Sequence, residues 1–173
     1  LTASGKVQSR SYDIAISRYR VRGPAASSLA PIVSVVVGDP PFPDIHGPDS
    51  FRFSLAGGTM NPDLAQGVPI GGSMVYLAAV NSGPDLVYSL DSVAIQGRPY
   101  LPGPPFTSIP IRRAGVEVQF LSDSSGAVVM DSVSVYDAEG DGVLGISSGL
   151  NSSATFDAQD CQFSENGTPG YPA

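Results

Sequence analysis

The 173-residue chain is long enough to bury a full core as one domain, and 42% of its residues are apolar. Charged residues make up 14% against about 25% in ordinary domains, which argues against long solvated helices, coiled coils and charge-rich disorder, while 20 Gly and 16 Pro argue for many turns. A net charge of −7 removes any general attraction to phosphate backbones, and the longest apolar runs, such as residues 32–37, are too short to span a bilayer, so neither nucleic acid nor membrane insertion is expected.

Residues 11–22 read as a strand in which Tyr12, Ile14 and Ile16 share one parity and Tyr19 and Val21 the other. A β-bulge near Ser17 or Arg18 would produce that slip of phase. Arg18, Arg20 and Arg22 share a parity and should line one face, turned to solvent or to a partner. After a small-residue connection, residues 32–37 form a β-branched run typical of a buried central strand. Residues 38–50 hold Pro40, Pro41, Pro43 and Pro48 with Phe42 and Ile45, which suits an ordered surface loop rather than a ladder. Residues 51–55 alternate as a half-buried strand closed by Gly57 and Gly58, and Asn61-Pro62-Asp63-Leu64 suits one helical turn capped by Asn61.

Residues 73–80 and 86–95 flank the connection Asn81-Ser82-Gly83-Pro84-Asp85, and residues 116–121 and 127–135 flank Ser122-Asp123-Ser124-Ser125-Gly126. Both read as hairpins with five-residue loops. Their returning strands are alike, Leu90-Asp91-Ser92-Val93-Ala94-Ile95 and Met130-Asp131-Ser132-Val133-Ser134-Val135, 40 residues apart. Between them lies a second proline-rich loop, residues 97–110, which carries Phe106. Residues 143–146 and 154–163 supply the last strands. The pattern predicts an all-β antiparallel β-sandwich of jelly-roll type with long Pro/Gly-rich loops. It would be a single domain over residues 1–163, with a basic N-terminal arm or strand at 1–22 and a loose tail at 164–173. Residues 128–135, with their apolar pair, Met130, Asp131 and alternating valines, resemble the closing strand of galactose-binding-like jelly rolls and carbohydrate-binding modules. That resemblance implies a sandwich fold and a glycan ligand. Such modules usually stack sugars on exposed aromatic rings, and without Trp that role would fall to Tyr76, Tyr88, Tyr100 or Tyr136, each of which is equally a normal strand residue.

No catalytic set stands out, so an enzyme is not expected. His46 is the sole histidine, with Asp44 and Asp49 near it, and no Gly-x-Ser-x-Gly elbow presents a nucleophile. No cofactor is expected beyond calcium. Asp137, Glu139 and Asp141 match the oxygen spacing of a calcium loop, but Ser148 stands where the bidentate Glu would be required, so an acidic turn is the competing reading. Asn151 and Asn166 begin glycosylation sequons. A start at Leu1 rather than Met and those sequons point to an exported protein at the cell exterior or a particle surface, while the single Cys161 allows neither an intramolecular disulfide nor a zinc site. Charge is polarised along the chain. Residues 1–22 carry five basic residues against Asp13, whereas residues 114–173 carry nine acids and no Lys or Arg. If first and last strands were neighbours, this polarity would be satisfied within one molecule; otherwise it suits contacts between molecules. The leading expectation is a non-catalytic assembly subunit of a filament, surface layer or virion, meeting copies of itself or other surface proteins. Arg18, Arg20, Arg22, Phe42 and Phe106 would lie at the interface, and Asp137, Glu139 and Asp141 would be acceptors. The alternative is a secreted carbohydrate-binding module, assisted by Ca²⁺.

Overall fold

The computed structural model describes residues 2–5, 11–24, 31–38, 50–63, 73–83, 85–96, 114–136, 138 and 140–167. Thirteen strands are present among them: β1 (Thr2–Gly5), β2 (Ser11–Ser17), β3 (Arg20–Pro24), β4 (Val33–Val37), β5 (Ser50–Asp63), β6 (Val75–Val80), β7 (Asp85–Gln96), β8 (Val116–Leu121), β9 (Ser125–Asp131), β10 (Ser134–Tyr136), β11 (Val143–Ser148), β12 (Ser153–Gln159) and β13 (Gln162–Ser164). Every pairing between them is parallel. The antiparallel sandwich and jelly roll expected from sequence are therefore wrong.

The chain instead winds as a parallel β-solenoid of five coils. One sheet stacks β1, β4, β6, β8 and β11 in chain order. The other stacks β2, β5, β7, β9 and β12, then turns a corner into β3, the later half of β5, the later half of β7, β10 and β13. Each coil thus contributes one strand to each of three faces. The supposed hairpin strands β6 and β7, like β8 and β9, belong to different sheets and stack on the next coil rather than on each other. Alternating hydrophobicity shows which side chains point inward and is silent about which strand lies alongside, which is how a solenoid arc passes for a hairpin.

The repeated hexapeptides are neighbours in this stack. Leu90 lies opposite Met130 and Asp91 opposite Asp131, so the 40-residue interval is one turn of the solenoid. At the next position the chain bends sharply: Arg18, Gly57, Ser92, Ser132 and Asp160 all have positive φ, from 49° to 61°, and occupy equivalent corners of the five coils. That left-handed residue explains the change of parity at Arg18, which is a corner between β2 and β3 and not a bulge within one strand. Ser92 and Ser132 tolerate the conformation while their hydroxyls donate to the carboxylates of Asp91 (2.8 Å) and Asp131 (3.1 Å). Gly57 and Gly58 do not end the strand as predicted; β5 continues to Asp63, which also replaces the expected helical turn at residues 61–63 with extended chain.

Inward residues form ladders along the axis. Val33, Val75 and Val116 stack on one face, as do Val35, Leu77 and Val118, and all six are buried, which places the predicted core run in β4. Opposite them, Phe53, Tyr88 and Val128 form a buried ladder, and Tyr88 packs edge-on to Phe51 and against Phe120 with centroids 6.2 and 5.7 Å away. The Tyr88 hydroxyl crosses the core to donate to the Ala78 carbonyl at 2.8 Å. Burial raises the Tyr88 pKa well above its ordinary value, and burial also raises those of Tyr19 and Tyr76, the latter with help from Glu117. Below about pH 10 these groups stay protonated in both folded and unfolded chains, so the stability they carry is fully present. Above it the unfolded chain ionises first, and for the fully buried Tyr88 stability falls by up to about 1.4 kcal/mol per pH unit. Tyr88→Phe should cost about 1–2 kcal/mol at neutral pH through the lost hydrogen bond yet remove its own share of this alkaline decline, as urea melts across the alkaline range would reveal.

Candidate functional site

The predicted interface arginines fall at one end of the solenoid. Arg18 and Arg20 are exposed, and with Tyr19, Gly57, Gly58, Thr59, Ser92 and Ala94 they line a shallow groove of about 510 Å³ at the corner between the second and third faces. The Tyr19 ring fills the space above Gly58, where a Cβ would come within 2.4 Å of it, and the Tyr19 hydroxyl is buried without a hydrogen-bond partner. Among the described residues no carboxylate lines the groove, which presents the guanidinium groups of Arg18 and Arg20 beside the hydroxyls of Thr59 and Ser92. Arg22 lies in β3 opposite Asn61. Phe42, Phe106, Asp137, Glu139, His46, Asp44, Asp49 and Tyr100 lie outside the described residues, which leaves Asp141, half-buried, as the described member of the acidic loop. Among the described residues no three His, Cys, Asp or Glu side chains converge in a way that could hold a metal.

The sequon asparagines are both engaged in the fold. Asn151, itself at positive φ, donates from Nδ2 to the Asp123 carboxylate at 2.8 Å and ties the fifth coil to the fourth at a corner. Asn166 accepts from the Ala138 N–H at 3.0 Å and donates from Nδ2 to the Val135 carbonyl at 3.1 Å. Its amide nitrogen, the atom a glycan would need, is thereby committed to holding down the turn after β10. Of the tyrosines considered as sugar platforms, Tyr88 is core, whereas Tyr76 and Tyr136 point outward and are half-buried. Tyr76 belongs to a polar cluster on the first face. Its hydroxyl donates to Gln119 at 3.3 Å, and Glu117 accepts from both Ser73 (2.5 Å) and Gln119 (2.6 Å). These hydrogen bonds tie Glu117 into the outer surface of the first face.

The two ends of the solenoid are the larger feature, and sequence reading missed them. β1 pairs with β4 alone and β2 and β3 with β5 alone, while at the far end β11, β12 and β13 pair only with β8, β9 and β10, so among the described residues each end presents unpaired strand edges. Side chains of the interior ladders surface there. Tyr12, Ile14, Ile16 and Tyr19 are only partly buried at the first coil, as are Val143, Ala154 and Cys161 at the fifth, and Phe156 and Phe163 are 44% and 45% exposed. With strands about 4.8 Å apart, the terminal coils are separated by about 19 Å, so the basic first coil and the acidic last coil cannot neutralise each other by strand contact. Among the described strands the first and last coils are not neighbours, so the two charged segments do not pair there within one molecule.

No family model matches this chain, and neither the curated proteins nor the solved structures compared with it contain a match.

Proposed function

We propose that this chain is a non-catalytic structural module that works by assembly, joining copies of itself or other surface proteins at the cell exterior or on a particle. What supports this reading is one observation: a stack of coils carries, among the described residues, open strand edges at both ends, with partly buried core residues at the first coil and exposed ones at the last, and with basic residues gathered at one end and acidic residues at the other. Solenoids gain stability coil by coil through nearest-neighbour stacking, so an uncovered terminal coil is the place where a further coil lowers the free energy. The scarcity of charge elsewhere and the hydrogen-bonded state of Glu117 fit a scaffold better than a reaction centre.

Particle mass tests the reading. Native material examined by light scattering and negative-stain microscopy should be an ordered assembly at low salt that loosens at high salt; a salt-independent monomer would overturn it. A glycan-binding role is the second reading, favoured by the groove of Arg18, Arg20, Thr59 and Ser92, whose donors suit an acidic sugar. In that case the protein would stay monomeric and its melting temperature would rise with an acidic oligosaccharide.

A further inference from the structure

We propose that the partner at the open C-terminal end is a second copy of this chain, whose first coil continues the stack on the fifth coil in register. This rests on the assembly reading and specifies its contact. The register within the molecule dictates what such a junction contains. Tyr12, Phe51, Leu86, Gly126 and Ala154 form one ladder, and Ile14, Phe53, Tyr88, Val128 and Phe156 the next, so one further step sets the incoming Tyr12 over Ala154 and the incoming Ile14 over Phe156. The partly exposed interior side chains of the first coil and the exposed Phe156 of the last would then cover each other. At the corner the ladder of left-handed residues runs Arg18, Gly57, Ser92, Ser132, Asp160, and the same step places the incoming Arg18 on Asp160. The corner conformations also agree, with φ of 54° and 49°.

Charge decides the polarity of the contact. Two N-terminal ends meeting would oppose arginines and two C-terminal ends would oppose carboxylates, whereas N-terminal on C-terminal joins unlike charges and keeps every strand pair parallel. A contact of this kind is heterologous and repeats along the axis without closing, so it builds a filament with an axial repeat of about 24 Å for five coils.

Sedimentation velocity on the whole chain, with Arg18→Asp, Asp160→Arg and an equimolar mixture of the two, tests the contact. Both side chains are exposed, so each variant should keep the circular dichroism and melting temperature of the parent. Each variant alone opposes like charges at every junction and should associate on the order of tenfold more weakly. In the mixture every mixed junction is complementary again, and association should return to near the parent level. A parent chain that sediments as a monomer at every concentration overturns the contact; if native material is nonetheless assembled, the broader reading survives without it. Assembly that ignores both variants overturns the contact and leaves the assembly reading standing.

Discussion

Gly38→Ala should destabilise the protein by at least about 3 kcal/mol, enough to remove much of the stability of an ordinary domain. Gly38 follows β4 at the corner where the second coil leaves the first face, with φ of 89°. An added Cβ there would overlap the Val80 carbonyl oxygen of the coil above, at 1.8 Å, and press on its carbonyl carbon at 2.9 Å. A flexible side chain could move aside, but this obstacle is the backbone at the end of β6, fixed on both sides by parallel pairing with β4 and β8. Relief requires the two coils to part, which breaks the hydrogen bonds and the valine ladders together. Gly57→Ala separates the two contributions. Gly57 has φ of 61°, but the nearest atom to its Cβ would be 3.9 Å away, so only the conformational cost of about 1 kcal/mol applies. Urea melts of the two variants should therefore differ by about 2 kcal/mol or more; equal losses would mean that φ, and not the close approach of coils, is what Gly38 serves.

The corners also show what could be read in the sequence. The parity slip at Arg18 and the likeness of residues 90–95 to residues 130–135 were both visible, and both mark one device, a left-handed corner between two inward-facing runs. The same pattern is present but disguised in the second coil as Leu55-Ala56-Gly57-Gly58-Thr59-Met60 and in the last as Ala158-Gln159-Asp160-Cys161-Gln162-Phe163. What hid the solenoid was irregular coil length. The residues stacked on Val33 recur after 42, 41 and 27 residues, at Val75, Val116 and Val143, so no fixed period emerges from the chain. Alternation then suggested half-buried strands, and two short connections suggested hairpins, because inward and outward faces look the same in parallel and antiparallel sheets. The candidate site was legible to the same degree. Charge polarity and the arginines came from sequence, but that the two charged segments sit at opposite ends of a stack depends on topology. Asp160 carries no mark of its own in the sequence and is singled out only by the corner ladder that aligns it with Arg18.

Removing one turn of the solenoid should leave a folded protein, provided the cut respects that register. Deleting residues 91–130 joins Leu90 to Asp131, which occupies the position of Asp91 one coil later. The first half of β7 then leads through Ser132, already in the left-handed corner conformation, into Val133 and β10. On the first face the deletion takes out β8 and brings β11 onto β6, where Val143 falls on Val75 because both pair with Val116 in the parent. Each remaining coil keeps a neighbour of the right pattern, so the shortened chain should unfold cooperatively. Its midpoint should be lower by the worth of one coil and its interfaces, since solenoid stability is close to a sum of nearest-neighbour terms. Deleting residues 91–129 removes one residue fewer and sets Met130 at the outward position, with every following side chain of β10 inverted across the sheet. That second variant buries Ser132 and Ser134 in place of Val133 and Val135 and should aggregate or fail to show a cooperative transition. Circular dichroism and urea melts on the pair would decide the matter: if both deletions unfold alike, side-chain register between coils does not hold this protein together, and if the 39-residue deletion alone fails, the parallel ladders are what specify the fold.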